Sequence, residues 1–148
     1  MPYIELHAHS YFSLLDGVPT PEALVAQAAE WDMPAMTLCD HNGLYGLPRF
    51  WQAAQQAGIK AIIGCELTLA ESGSHITLLA ENQLGYSNLC SLITNAHHKG
   101  EKGRAALPES SLVENTEGLI ALSGCRRSAI ARALLANDYQ LAIHTAAR

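Results

Sequence analysis

Short apolar runs alternate along this chain with helix-patterned segments, and most of the runs end in a side chain of metal-ligand type. "YIEL" (3–6) predicts a strand, and "TPEALVAQAAEW" predicts a helix after it. Thr20 suits the N-cap of that helix, Pro21 its first position, and Glu22 the positive end of its dipole. "AMTLC" (35–39) and "LPRFWQAAQQAG" (47–58) repeat the unit, with Gly58 placed to end the helix. "KAIIG" (60–64) is a run typical of a strand covered on both faces, and "ELTLA" with "HITLLA" flank "ESGS" as the arms of a hairpin. "NLCSLITNAHH" (88–98) has helical spacing, and "KGEKGRAALPESS" predicts an irregular connection with a short helical turn near its end. "GLIALS" (118–123) predicts another buried strand, and "RSAIARALLA" a helix after it. Alternation of this kind implies an α/β fold with a largely parallel sheet.

At 148 residues the chain is about one domain long, enough to bury a core without disulfides. It carries no apolar run long enough to span a bilayer and no basic-then-apolar leader, so a cytoplasmic protein without membrane contact is expected. Cys39, Cys65, Cys90 and Cys125 form no CxxC pair, which removes zinc-finger and thioredoxin readings and predicts reduced thiols, buried or metal-bound. The net charge of -5 has the wrong sign for an electrostatic nucleic-acid surface. Contact with DNA would need a cationic surface supplied from elsewhere.

Ligand-type residues recur where strands end: His7 and His9 after the first, Asp40 and His41 after the second, Cys65 and Glu66 after the third, Cys125 after the last. In parallel α/β folds those ends share one face, where residues distant in sequence converge. His75 begins its strand, so it joins them only if "HITLLA" runs antiparallel to its neighbour or reaches over from a hairpin. Each residue also has a plainer reading. His7 and His9 alternate as any strand pair does, Asp16 in "LLDG" suits a turn, Asp40 a cap, and Cys125 an inert thiol. Glu66 resists dismissal, because a carboxylate buried directly after an apolar strand is costly without a cation. His97, His98 and His144 fall on helices and are set aside.

"ELHAHS", "LLDG", "LCDHNGLYGLPRFWQAAQQAGIKAIIGCELTL", "HITLLAENQLGYSNLCSLI" and "EGLIALSGC" together resemble the N-terminal polymerase-and-histidinol-phosphatase (PHP) domain of bacterial C-family DNA polymerases. Those are the DNA polymerase III alpha subunits and their error-prone relatives. The resemblance implies a distorted (β/α)7 TIM-like barrel, of which residues 1–148 are an incomplete N-terminal portion. The family's last Asp-x-His motif and the polymerase core are not in this chain. An open sheet edge and self-association are expected of such a portion.

Carried over position by position, the resemblance implies that His7, His9, Asp16, His41, Glu66, His75 and Cys125 are metal ligands, with Asp40 orienting His41. The imidazoles and the thiol favour zinc, and the oxygens leave room for manganese or iron, with up to three ions in the intact domain. The implied activity is metal-dependent phosphoester hydrolysis, of 3′–5′ exonuclease or pyrophosphatase type, attached to DNA synthesis in replication or repair. DNA would be met through the absent polymerase regions, and other replication or repair proteins are further expected partners. Two other readings stand beside it: a small-molecule phosphatase using the same ligands, and a non-catalytic scaffold that binds partners.

Overall fold

The computed structural model describes residues 3–147. It comprises two compact units, Met1–Cys65 and Glu66–Arg148.

In the first unit, α1 (Pro21–Glu30) starts as its sequence demands: the Thr20 hydroxyl accepts from the Ala23 amide at 3.1 Å, and Pro21 opens the helix. β1 (Ala35–Leu38) follows, then α2 (Leu47–Ala57). Gly58 ends α2 with φ +70°, a backbone state that costs glycine nothing, and the Ile59 amide bonds back to the Ala54 carbonyl at 2.9 Å. β2 (Lys60–Thr68) then pairs parallel with β1 from Ala35↔Lys60 to Leu38↔Ile63. Val25 and Ala28 of α1, Phe50 and Ala54 of α2, and Met36 and Leu38 of β1 bury one shared core with Met33 and Ile59. The helical spacings of three and four residues put each pair on one face. Large apolar side chains buried this way stabilise by roughly 1.5–3 kcal/mol apiece.

The expected first strand is reduced to one parallel bridge, Glu5↔Met36. Thr37 and Cys39 donate to the carbonyls of Glu5 and Ala8, but the His7 amide is taken by the Glu5 carboxylate at 2.9 Å, and no regular ladder forms. "KAIIG" and "ELT" are one uninterrupted strand. Cys65 and Glu66 therefore lie inside β2, not after a strand as expected.

In the second unit β3 (His75–Ala80) lies between β2 and β4 (Leu119–Leu122) and is antiparallel to β4, with Thr77↔Leu122 through Ala80↔Leu119 in register. The sheet is thus mixed and not largely parallel. The connection Leu69–Ser74 is too short for a crossover, as the hairpin expectation required, and the Leu69 amide closes it on the Ser74 carbonyl at 2.8 Å. α3 (Gln83–Lys99) begins before the run that announced it, because Asn82 caps it by accepting from the Gly85 amide at 3.0 Å. A Cβ at Gly85 would collide with the Gly118 carbonyl, which accounts for glycine in "LGYSN". α4 (Glu109–Val113) is the predicted short turn, and α5 (Ala129–Leu135) is capped by the Ser128 hydroxyl. α6 (Tyr139–Ala146), capped by Asp138, follows beyond the last predicted helix. β4 is less buried than its composition suggests: Ile120 is 47% exposed, since the strand has β3 on one side and no further strand among the described residues.

Polar groups in the interior are paired almost throughout. Among the described residues, the buried Thr37 Oγ1 is the side-chain oxygen without a hydrogen-bond partner. Thr37→Val keeps the shape and removes the unsatisfied hydroxyl, so it is expected to leave stability unchanged or raise it by about 1 kcal/mol in urea denaturation. A loss above about 1 kcal/mol would show that the hydroxyl is satisfied in solution.

Candidate metal centre

In the first unit the ligand-type residues rest on a buried carboxylate. Asp40, 2% exposed, accepts from the Ser10 amide (2.8 Å), the Ser10 hydroxyl (2.8 Å) and the Ser13 hydroxyl (2.7 Å). The Ser13 oxygen in turn accepts from the His41 amide at 3.1 Å, and the Cys65 thiol caps the Asp40 carbonyl at 3.3 Å. Asp40 therefore ties the loop after His9 to the loop carrying His41. It reaches His41 through the Ser13 hydroxyl and the His41 amide.

On this clamp the His9 and His41 rings stack, with centroids 4.5 Å apart, and His7 meets His9 edge-on at 4.9 Å. His7 and His9 offer ligand atoms within 4.8 Å of one another. Asp16 Oδ2 lies 3.0 Å from His41 Nε2. The loop "LLDG" that delivers Asp16 is tightly closed: the Asp16 and Gly17 amides both bond the Ser13 carbonyl, and a Cβ at Gly17 would overlap the Ser10 carbonyl. Leu15 in that loop has φ +70°, a strained state for a residue with a side chain, and stands fully exposed. Glu5 holds the His7 backbone. Burial pushes its carboxyl up, but the Tyr3 hydroxyl and the His7 amide outweigh burial and leave it below the ordinary carboxylate range.

In the second unit Glu66, 1% exposed, bonds His75 Nδ1 through Oε1. The Cys125 thiol reaches the same oxygen at 3.6 Å and lies 4.0 Å from His75 Nδ1, while the Thr77 hydroxyl donates to Oε2 at 3.4 Å. Cys125 is held by the turn after β4: the Arg127 amide donates to its sulfur at 3.3 Å, and the Arg127 carbonyl accepts from the His75 amide at 3.1 Å. Gly124 makes this turn with φ +78°, so "SGC" is a backbone requirement as well as a thiol. His75 opens β3 beside the hairpin, the condition under which it could join the others.

His7, His9, Asp16 and His41 gather in one unit, and Glu66, His75 and Cys125 in the other. A carboxylate, an imidazole and a thiol converging on buried oxygens form the kind of donor set that zinc-type ions take, so the residues fit a metal. His97, His98 and His144 lie exposed in the last turns of α3 and α6, away from either gathering in sequence and element. Sequence reasoning missed Ser10, Ser13 and Thr77. "HSYFS" holds two serines three residues apart, but their partner Asp40 lies in another loop, and spacing alone does not reveal it.

Residues 5–148 match the model of the PHP domain. The chain belongs to the PHP domain family. It is 47% identical over 152 aligned residues to an error-prone DNA polymerase of Symbiobacterium thermophilum, covering 91% of this chain and 14% of that protein. It is 40% identical over 144 residues to a DNA polymerase III subunit alpha of Vibrio cholerae, covering 93% and 12%. The chain thus spans about an eighth of the length of these relatives. Among solved structures it resembles an amidohydrolase from Chromobacterium violaceum with bound sulfate and no metal (TM-score 0.53, 28% identity, 64% of this chain and 33% of the other). It also resembles a Bifidobacterium adolescentis protein described as a metal-dependent phosphoesterase (TM-score 0.50, 25% identity, 64% and 32%). These likenesses bear out the PHP-type α/β fold. No helix among the described residues is long and apolar enough to cross a membrane.

Asp40→Ala would orphan the Ser10 amide and both serine hydroxyls at once. A loss of about 3 kcal/mol or more in urea denaturation is expected, against roughly 1–2 kcal/mol for Ser13→Ala. Equal, small losses for both variants would show that Asp40 is not the anchor.

Proposed function

We propose that this chain is the N-terminal part of a PHP domain belonging to a bacterial DNA polymerase III alpha subunit or error-prone polymerase, and that it supplies ligands to a multinuclear metal centre for phosphoester hydrolysis. The observation that carries this reading is Glu66: a carboxylate buried to 1% exposure, shared by His75 and Cys125, has the surroundings of a metal ligand and not of a surface acid. Support comes from the polymerase relatives, from the phosphoesterase-like neighbour, and from the matching group of His7, His9, Asp16 and His41.

His7, His9, His41 and His75 would hold the metals as neutral imidazoles, with Asp16 and Glu66 supplying anionic oxygens and Cys125 sulfur. Zinc or manganese suits this set, with iron a further candidate, and up to three ions in the intact domain. When bound, the metals supply Lewis acidity toward a phosphoryl oxygen and toward the attacking water. The chain's own residues contribute placement. Asp40 and Ser13 fix the backbone of His41, Gly17 closes the loop that presents Asp16, and Thr77 keeps one oxygen of Glu66 engaged so that the other faces His75 and Cys125. The substrate is then a phosphoester or pyrophosphate linkage of DNA synthesis, in the cytoplasm, with replication or repair proteins as partners and self-association through the β4 edge.

Elemental analysis of protein purified without chelator should find zinc or manganese. Zinc at about a hundredfold over its dissociation constant should stabilise the wild type by about 2.7 kcal/mol relative to chelator. His9→Ala should lose that gain and His97→Gln/His98→Gln should keep it, with metal-dependent hydrolysis of a phosphodiester following the same order. Equal responses of wild type and His9→Ala to zinc would sink the metal reading.

A further inference from the structure

Outside the ligand side chains, the first unit carries aromatic rings on the same two loops that present His9 and His41. Tyr11 and Phe12 follow Ser10 in the first loop and stack with centroids 4.6 Å apart. Tyr45 lies four positions after His41 in the second, with its ring 6.5 Å from that of Phe12 and 58% of the residue exposed. Exposure of this size in a loose loop would mean little, but this ring has a seat. It lies so close over Gly43 that any Cβ there would overlap Cε2, Cδ2 and Cζ, while Gly46, next along, packs against Phe12 and against Asp40 Oδ2. Asp40 bonds Ser10 and Ser13, and Ser13 bonds the His41 amide, so the loops bearing Phe12 and Tyr45 share one anchor with two of the candidate ligands. An exposed aromatic ring held at a fixed offset from a metal site is a device for placing a flat group.

The charges beside it narrow what that group is. Arg49 is paired with Glu22, with contacts of 2.6 and 2.9 Å, and with the Tyr11 hydroxyl, so its donors are engaged away from Tyr45. A phosphate would have to be held by the metals, and the rest of the substrate by surface contact. A nucleobase fits a neutral aromatic platform, because every base has a π face to stack.

We infer that Tyr45, seated on Gly43 beside Phe12, stacks on the base of the nucleotide whose phosphate occupies the metal centre. The inference rests on the phosphoesterase reading above and assigns Tyr45 a specificity role in it. Tyr45 selects nucleoside phosphates over bare phosphate and takes no part in bond cleavage. Gly43 is a positioning residue, since a side chain there would swing the ring off its seat.

The test is binding of thymidine 5′-monophosphate and of inorganic phosphate to the zinc-treated chain, followed by calorimetry, with bound zinc measured in the same samples. Wild type should bind the nucleotide roughly tenfold tighter than phosphate, the size expected of one stacked base. Tyr45→Ala should bring the two affinities together without lowering zinc content or melting temperature. Tyr45→Phe should keep the preference, and Gly43→Ala should lose most of it. Zinc uptake with equal affinity for the two probes, or a preference that survives in Tyr45→Ala, would overturn the stacking role and leave the metal centre standing. Failure to take up zinc would overturn the metal centre, and the stacking role with it.

Discussion

A buried carboxylate that must be satisfied organises the first unit. Asp40 has little exposure to water, so its oxygens take the Ser10 amide and the hydroxyls of Ser10 and Ser13, and each of those bonds also restricts a loop. The hydroxyl of Ser13 extends the restriction to the amide of His41. The stacking of His9 on His41, the approach of Asp16, and the placement of Phe12 and Tyr45 all depend on loops that this one side chain holds. Without it the two loops would keep their local backbone turns but lose the bonds that join them, and the spacing of the His9 and His41 rings would spread over more conformations.

The second unit solves the same problem differently. Glu66 is as deeply buried as Asp40, but its partners are an imidazole, a thiol and a threonine hydroxyl in place of a backbone amide and serines. Asp40 is therefore fully occupied in holding structure, whereas Glu66 faces groups that are themselves metal donors. Two acids of similar burial are separated by what surrounds them: Asp40 anchors two loops, and Glu66 sits among an imidazole, a thiol and a hydroxyl.

What the sequence revealed was mostly local. The cap at Thr20, the stop at Gly58 and the turn around "ESGS" are decided within a few residues and stand where their chemistry puts them, while of the strand runs "YIEL" forms one bridge and "KAIIG" continues into "ELT". The closeness of His7 and His9 followed from their period of two, whereas His75 beside Glu66 was expected only through the hairpin and the family resemblance. Three features were illegible because each depends on a distant partner. β4 reads as a buried strand, yet Ile120 is exposed because burial is set by neighbours the strand does not itself encode. The pairing of β3 with β4 makes the sheet mixed, and direction leaves no mark in composition. Ser10 and Ser13 look like loop hydroxyls until Asp40 is placed beside them. α6 is a different case, for Asp138 is a good cap and the helix was readable from it.

The clamp around Asp40 also bears on the order in which the molecule assembles. Its bonds to Ser10 close a loop of 30 residues, while the contact between Cys125 and Glu66 closes one of 59. Loop-closure entropy grows only slowly with length, by about 0.6 kcal/mol per doubling, so this difference alone barely separates the two closures. Direction of synthesis separates them decisively. Everything that the first closure needs has been synthesised before Glu66 is added, whereas the second waits for Cys125, 59 residues further on. On a growing polypeptide His9 and His41 can be brought together while the buried acid of the second unit still lacks its thiol neighbour.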